Sequence, residues 1–155
     1  MNEAIRLALP IIKRFEGLHK VRADGRIEAY PDPAHGWKVP TIGWGCTGPD
    51  VKRGTIWTLV QCEARLAEEA HHRYPALIRA SAVLARENPR GAAMLDFIFN
   101  LGTGAYGGST LRRKVNEGNW KEAAAQCRRW NKAGGRKLPG LVVRRELEAL
   151  MLERG

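Results

Sequence analysis

The fold is decided by residues 15–45, which read FEGLHKVRADGRIEAYPDPAHGWKVPTIGWG. Helical periodicity stops at the start of this stretch, and prolines and glycines follow. Asp24-Gly25 is a dipeptide typical of tight hairpins, so we expect its flanks, His19–Arg22 and Arg26–Tyr30, to pair. A third short strand over Pro40–Trp44 is expected to complete a small antiparallel sheet.

The segment before this stretch is predicted to be a helix over residues 3–15. Its apolar side chains recur at helical spacing, at Ile5, Leu9, Ile12 and Phe15. Pro10 either kinks this helix or lies in the first turn of a shorter one. Gly17 is a typical stop residue, which makes Glu16 the last residue of the helix.

The position of Glu16 at a helix end has a chemical consequence. The partial negative charge at the carboxyl end of a helix opposes ionisation of a carboxyl group, and burial acts in the same direction. A general acid needs to keep its proton near neutral pH. The residues alone leave open the alternative of a solvated glutamate at a helix end.

The chain after Thr58 is predicted to be mostly helical. Thr58 and Gln61 form a capping box, and the first helix is expected to run to about Arg73 and to end or bend at Pro75. Further helices are expected over Ala76–Arg86, from Asn88-Pro89 through a buried stretch Ala92–Leu101, over Thr110–Asn116, from Asn119 to near Trp130, and over Leu141–Glu153. This order predicts one α+β domain over residues 1–155, with a sheet lobe at about 17–57 and a helical lobe at about 58–155 plus the first helix. A cleft between the lobes is the expected site.

Charge indicates the kind of partner, and the cysteines and histidines exclude disulfide and metal sites that follow common spacing patterns. The 155 residues include 26 basic and 16 acidic side chains, a net charge of +10, which attracts polyanions such as nucleic acid, acidic lipid or an acidic cell wall. Three widely spaced cysteines form neither a disulfide framework nor a zinc pattern, and the four histidines form no metal-spaced set. No export signal is apparent, so we expect a separate release partner if the target lies outside the inner membrane.

Two further groups complete a candidate catalytic set with Glu16. Asp32 lies between two prolines in Ala29-Tyr30-Pro31-Asp32-Pro33, and Thr41 begins the segment Thr41-Ile42-Gly43-Trp44-Gly45. Two carboxylates and a hydroxyl around one groove suit glycoside hydrolysis, in which an acid protonates the leaving oxygen and the second carboxylate stabilises the positive charge or orients a water. An aspartate in a proline-rich turn is also a common turn residue.

Together with Phe15-Glu16-Gly17, these segments resemble the Glu–Asp–Thr site of phage-type lysozymes. Later motifs resemble that family in the same order: Thr47-Gly48-Pro49-Asp50-Val51, Phe99-Asn100-Leu101-Gly102, Ser109-Thr110-Leu111, and Gly140-Leu141 with Arg144-Arg145 and Glu148. The resemblance covers nearly the whole chain, and it implies a lysozyme-like α+β fold with the active-site cleft between the two lobes.

The resemblance also implies the chemistry. Glu16 would protonate the glycosidic oxygen between N-acetylmuramic acid and N-acetylglucosamine, Asp32 would support the positive charge or activate water, and Thr41 would hold the attacking water. The family is regarded as inverting, and it needs no metal or organic cofactor. By the same resemblance Thr47, Phe99, Thr110 and Gln126 would contact substrate.

The match to the family leaves some residues open. Glu16 and Asp32 are 16 positions apart, farther than is usual in the family, and Asp24 lies nearer to the usual spacing. We prefer Asp32 because it keeps the Ala-Tyr-x-Asp context. Cys46 stands where many members have histidine. The Arg144-Arg145 pair either forms surface ion pairs or provides an arginine that orients Glu16.

Four of the tryptophans are expected to lie in two different environments. Trp120 and Trp130 are expected to be core residues, whereas Trp37 and Trp44 are candidates for stacking on sugars.

The resulting functional expectation is an endolysin that lyses the host cell. It would wait in the host cytoplasm, be released by a holin or another partner, and act as a monomer on the glycan strands of periplasmic peptidoglycan, without nucleic acid or stable membrane insertion. The alternative is a non-catalytic basic module that binds cell wall or nucleic acid. A lysozyme domain from a phage tail or transfer particle would share the same sequence features.

Overall fold

The computed structural model describes residues 2–155, and its first element is the helix α1, Glu3–Glu16. One face of α1 is buried through Ala4, Ile5, Ala8 and Ile12, as the apolar spacing predicted. Pro10 lies inside the helix on its exposed side and does not end it. Gly17 follows with φ +70°, a left-handed conformation that glycine adopts without strain, and this ends the helix after Glu16.

Short antiparallel strands follow α1. They are β1 at Ile27–Glu28, β2 at Tyr30–Asp32, β3 at Gly36–Thr41 and β4 at Ile56–Trp57. β2 pairs with β3, so that Tyr30 lies opposite Thr41, and β1 pairs with β4. In the described residues the sheets are two-stranded, and together with the helices they make an α+β fold.

The expected hairpin is confirmed at its turn, whereas the expected strands are partly wrong. Asp24-Gly25 forms a tight turn in which the Arg22 amide donates to the Arg26 carbonyl, but beyond the Val21–Ile27 bridge the strands separate. β1 pairs instead with β4, a partner that is distant in sequence and that turn residues cannot specify. The expected strand Pro40–Trp44 is also wrong, because β3 begins at Gly36 and ends at Thr41.

Helix α2 spans Leu59–Ala80 and begins at the predicted capping box. The Gln61 amide donates to Thr58 Oγ1 at 3.2 Å, and the Thr58 amide donates to Gln61 Oε1 at 2.8 Å. The helix does not end at Pro75, since it continues to Ala80. Buried Ala70 and Leu77 hold the helix on both sides of Pro75, which explains why one missing backbone donor does not end it.

The chain then forms a 3₁₀ helix at Ala82–Arg86 and α3 at Asn88–Gly107, so the short helix expected over Ala76–Arg86 is divided between the end of α2 and the 3₁₀ helix. The predicted apolar helix is confirmed, because residues 91–98 of α3 are buried. Asn88 is already helical and Glu87 occupies the cap position, so the expected asparagine cap is wrong. Gly102, with φ +85°, interrupts the helical conformation.

The last elements are α4 at Thr110–Asn116, α5 at Trp120–Arg128, the hairpin β5–β6 at Lys132–Ala133 and Arg136–Lys137, and α6 at Pro139–Arg154. The Asn119 side chain accepts from the Glu122 amide at 3.2 Å, as the predicted cap requires. Ser109 caps α4 by accepting from the Arg112 amide at 3.0 Å.

The described residues form two compact units. One comprises Ile12–Glu69 and contains β1–β4; the other comprises Ala70–Gly155 with the first part of α1. Within residues 2–155 no helix combines the length and the apolar character that a membrane crossing requires.

Candidate active site

A pocket of about 450 Å³ in the unit Ile12–Glu69 is lined by Glu16, Asp32 and Thr41. Its remaining lining residues are His19, Tyr30, Pro33 and Gly45. The structure therefore brings the three residues that the sequence suggested for catalysis to one cavity, although they lie in separate segments, 16 and 9 positions apart.

Glu16 is positioned by the end of α1. The Gly17 amide closes the last turn by donating to the Lys13 carbonyl at 3.1 Å, and the Glu16 carbonyl oxygen lies 3.1 Å from His19 Nε2. The half-buried side chain of Glu16 lies close to Gly45, where a Cβ atom would be 3.9 Å from Glu16 Oε2. Gly45 has φ +84°, a conformation that favours glycine.

Asp32 ends β2 and is held in one orientation by the turn that follows. Its Oδ1 accepts from the amides of Ala34 at 2.9 Å and His35 at 2.8 Å, and it lies 2.9 Å from His35 Nδ1. These hydrogen bonds to His35, first from its backbone and then from its side chain, lower the pKa of Asp32. Asp32 is thus a fixed carboxylate that is ionised at neutral pH.

Thr41 ends β3 and is 4% exposed. Its hydroxyl donates to the Val39 carbonyl at 3.1 Å. Because that proton is engaged, the hydroxyl oxygen can accept a hydrogen bond from a molecule in the pocket.

Tyr30 and His19 also line this pocket, and the sequence reasoning gave neither a role. Burial is the main cause that raises the pKa of Tyr30, and the nearby carboxyl groups of Glu16 and Asp32 act in the same direction, so its hydroxyl remains protonated. The His19 and Tyr30 rings lie 5.3 Å apart. The available signal was their spacing, since His19 is three positions after Glu16 and Tyr30 is two before Asp32.

The alternative carboxylate, Asp24, lies elsewhere. It occupies the exposed hairpin turn, where Oδ2 accepts from Arg26 Nη2 at 2.7 Å and Oδ1 lies 3.7 Å from Arg22 Nε. The hydrogen bond from the Arg26 side chain is the main cause that lowers the pKa of Asp24. Asp24 is not among the lining residues of the pocket that contains Glu16.

Cys46 and Trp44 are core residues beside the site. Burial raises the pKa of the Cys46 thiol far above its usual range, and a hydrogen bond to Glu69 acts in the same direction. Trp44 is 6% exposed and lies under the Lys13 ammonium, so the hypothesis that it stacks on sugar is wrong. Trp37 is 39% exposed, with the Arg53 guanidinium 5.3 Å from its ring centroid.

The four predicted substrate contacts fall in different places. Thr47 is exposed on the loop after Cys46, and Phe99 is half-buried with the Arg73 guanidinium 4.3 Å from its ring centroid. Thr110 and Gln126 line a second pocket, of about 400 Å³, in the unit that contains Ala70–Gly155.

Of the two alternatives for Arg144 and Arg145, surface ion pairing is wrong, because both side chains are buried. They are 3% and 0% exposed. Arg144 donates to Asp96 from Nε at 2.9 Å and from Nη2 at 2.7 Å, and Arg145 Nη2 lies 2.8 Å from Glu148 Oε1. Burial is the main cause that raises the pKa of Glu148. Sequence spacing placed these residues on a helix without showing that the helix face is buried.

Trp120 and Trp130, which were expected to be core, are both half-buried. Trp130 packs edge-on against Phe97 at 5.6 Å, and the Arg90 guanidinium lies 4.3 Å from the Trp120 ring centroid.

Known proteins resemble this chain in sequence. A SAR-endolysin of Bacteriophage PS119 is 38% identical over 110 residues, 71% of this chain and 65% of the relative. An endolysin of Acyrthosiphon pisum secondary endosymbiont phage 1 is 34% identical over 149 residues, 94% of each chain. The chain spans from 53% to 66% of the length of four other curated endolysins and SAR-endolysins that it matches.

Solved structures resemble it in fold. The endolysin from Escherichia coli O157:H7 phage FAHEc1 superposes with a TM-score of 0.78 at 31% identity, covering 96% of this chain and 92% of that one. The family model described as phage lysozyme matches residues 13–148, which include Glu16, Asp32 and Thr41. This chain therefore belongs to the phage lysozyme family.

Proposed function

We propose that this chain is an endolysin that hydrolyses the β-1,4 bond between N-acetylmuramic acid and N-acetylglucosamine in bacterial peptidoglycan. The observation that carries the proposal is the single pocket lined by Glu16, Asp32 and Thr41. Membership of the phage lysozyme family supports the same substrate class. The chain would act as one domain and open the host cell wall.

Glu16 is the proposed general acid. It ends α1 and lines the pocket, so its carboxyl group can reach the oxygen of a bound glycosidic bond. Protonation of that oxygen lets the sugar leave as a neutral alcohol instead of an alkoxide.

Asp32 and Thr41 are proposed to bind and activate the attacking water. The lowered pKa of Asp32 keeps its carboxylate charged, which suits a group that stabilises an oxocarbenium-like state or accepts a proton from water. Thr41 Oγ1, whose proton is engaged by Val39, can accept a hydrogen bond from the same water. Attack by this water on the face opposite the leaving group would invert the anomeric centre.

Tyr30 is a proposed positioning residue for the two carboxyl groups. Its hydroxyl is a neutral donor within electrostatic reach of both Glu16 and Asp32. Because this hydroxyl is uncharged, it can orient a carboxylate without competing for the proton that Glu16 transfers.

The biological setting is part of the proposal. The chain would remain in the host cytoplasm until a holin or another release partner gives it access to periplasmic peptidoglycan, where it would act as a monomer. Thr47, Phe99, Thr110 and Gln126 remain the proposed substrate contacts outside the catalytic pocket.

The test is the clearing of chloroform-permeabilised Gram-negative cells, followed as turbidity. The wild-type protein is expected to clear the suspension, and Glu16→Gln is expected to reduce the rate at least about a hundredfold, the usual contribution of a general acid. Glu3→Gln, which removes an exposed carboxylate from the other end of α1, is the matched control. Clearing that survives Glu16→Gln would contradict the proposal and would favour a non-catalytic, charge-driven effect.

A further inference from the structure

One exposed surface of the unit Ile12–Glu69 combines cations with aliphatic side chains. Lys52 and Arg53 are exposed, and three apolar residues that follow them within seven positions are exposed as well: Ile56 by 37%, Leu59 by 44% and Val60 by 72%. The Arg53 guanidinium also lies over the exposed ring of a tryptophan from β3. The basic–apolar surface is the name used below for these six residues, which are Trp37, Lys52, Arg53, Ile56, Leu59 and Val60.

The backbone holds this surface in a defined shape. The Lys52 amide donates to Thr55 Oγ1 at 2.9 Å, and the Thr55 amide donates to the Lys52 carbonyl at 3.0 Å, which closes a turn. Ile56 then lies in β4, which is paired with β1, and Leu59 and Val60 begin α2. Because this backbone is hydrogen-bonded, a ligand can bind the surface without the cost of ordering a loop.

The stability of the fold does not explain why Leu59 and Val60 are apolar. The first turn of a helix favours acidic and polar side chains, because that end of the helix carries a partial positive charge. The first turn of α2 has no acidic residue, and it has these two exposed aliphatic side chains instead. Neighbouring apolar side chains that stay exposed to water indicate a surface that contacts another body.

The acidic residues nearest to this surface do not neutralise its cations. Among residues 2–155 the structure records no ion pair for Lys52 or Arg53. The neighbouring acidic residues are instead paired with other cations: Asp50 with Arg65, Glu63 with Lys13, and Glu28, which lies opposite Ile56, with Arg22. The surface therefore keeps a positive charge beside its aliphatic side chains.

We propose that the basic–apolar surface docks on a bilayer rich in anionic phospholipid. Lys52 and Arg53 contact lipid phosphates, and Leu59 and Val60 enter the boundary between headgroups and acyl chains. Trp37 suits the same depth, because an indole has a broad apolar ring and one N–H donor. A nucleic acid or an anionic wall polymer would use the cations but would gain little from the aliphatic side chains, so these residues together favour a bilayer.

This docking is separate from the proposed hydrolysis. None of the six residues of the basic–apolar surface is among those that line the pocket of Glu16, Asp32 and Thr41. Docking is measured without turnover, so its failure leaves the proposed hydrolysis standing, and failure of the clearing assay leaves the docking proposal standing.

The experiment is cosedimentation of the protein with sucrose-loaded vesicles at low ionic strength. One set contains phosphatidylglycerol and phosphatidylethanolamine, and the other contains phosphatidylcholine alone. The wild-type protein is expected to bind the anionic vesicles at least about tenfold more tightly, because two cations contact the lipid surface. Equal binding of the two sets would overturn the proposal.

An aliphatic pair of substitutions separates docking on a bilayer from attraction by charge alone. Leu59→Gln/Val60→Gln leaves every charge in place and is expected to weaken binding of the anionic vesicles at least about tenfold. Leu138→Gln/Val143→Gln, which makes the same substitutions at exposed residues outside the basic–apolar surface, is expected to bind as the wild-type protein does. Unchanged binding by the Leu59/Val60 variant would overturn the proposal in favour of a surface for polyanions in general.

A second pair of variants tests the cations. Lys52→Gln/Arg53→Gln is expected to weaken binding of the anionic vesicles at least about tenfold. Arg79→Gln/Arg86→Gln removes the same charge from exposed residues outside the basic–apolar surface and is expected to weaken binding by about twofold at most. Equal losses in these two variants would overturn the proposal, because net charge and not this surface would then determine binding.

Discussion

At the scale of single residues, the two candidate aspartates differ in their hydrogen-bond partners and in their position. Asp24 forms hydrogen bonds with Arg26 in an exposed turn, so its charge is used to hold the hairpin. Asp32 is oriented by backbone amides of Ala34 and His35 and lines the pocket that contains Glu16. The pKa of each aspartate is lowered, so the two residues are distinguished by whether they line the pocket and not by their pKa.

This difference predicts opposite results for two substitutions that remove the same charge. Asp32→Asn is expected to lower the clearing rate at least about tenfold, because the amide cannot take a proton from water or balance a developing positive charge. Asp24→Asn is expected to keep the wild-type rate. Wild-type clearing by Asp32→Asn together with an inactive Asp24→Asn would show that the second carboxylate had been misassigned.

Prediction from sequence was strongest for residues in ordered motifs. Glu16, Asp32 and Thr41, which line one pocket, can be singled out from the sequence because each lies in a short segment that resembles the family pattern. Burial of Trp44 was missed, because its environment depends on segments far away in the chain. Tyr30 and His19 were missed as pocket residues because neither is distinctive without the fold around it.

At the scale of elements, most local signals predict structure that forms, although Asn88 does not cap α3, whereas pairings between distant segments cannot be predicted from them. The capping pair Thr58 and Gln61 and the turn at Asp24-Gly25 depend on neighbouring residues, and both form as predicted. The pairing of β1 with β4 joins segments that no short-range pattern links. The passage of α2 through Pro75 likewise depends on tertiary packing, which overrides local propensity.

Helix α6 carries two glutamates that are two positions apart and have opposite environments. Glu148 is fully buried beside Arg145, and Glu146 is exposed and paired with Arg128. Glu148→Ala is expected to destabilise the protein by about 3–5 kcal/mol, because it leaves a buried arginine without its counterion. Glu146→Ala is expected to cost at most about 1 kcal/mol.

Urea unfolding followed by circular dichroism measures both values. Equal losses of stability in the two variants would contradict the assignment of Glu148 to a buried ion pair. The Glu148 carboxyl group also accepts a hydrogen bond from the Cys127 thiol at 3.2 Å, so Cys127 belongs to the same buried cluster.

At the scale of the whole molecule, the net charge of +10 is unevenly distributed along the sequence. The residues from Arg112 to the end include 12 basic and 5 acidic side chains. Salt bridges with Glu146 and Glu153 use one of these cations, Arg128, whereas the exposed hairpin cations have no such partner among residues 2–155. This surplus should draw the protein toward an anionic wall.

The clearing rate is therefore expected to fall as ionic strength rises from low salt to about 0.3 M, because salt screens the attraction between exposed charges. Hydrolysis of a short soluble peptidoglycan glycan that lacks its peptides is the control, since a small fragment with few charges gains less from long-range attraction. A clearing rate that stays flat over this range would contradict an electrostatic role for the basic surface.

The most direct test of the proposed mechanism is to identify which glycosidic bond is cut and which anomer the new reducing end has. Purified peptidoglycan is digested, and the new sugar ends are examined by proton nuclear magnetic resonance within the first minutes. We predict new reducing N-acetylmuramic acid ends that appear first as the α-anomer, and none with Glu16→Gln on the same timescale. New N-acetylglucosamine ends, or the same products from Glu16→Gln at the wild-type rate, would contradict the account.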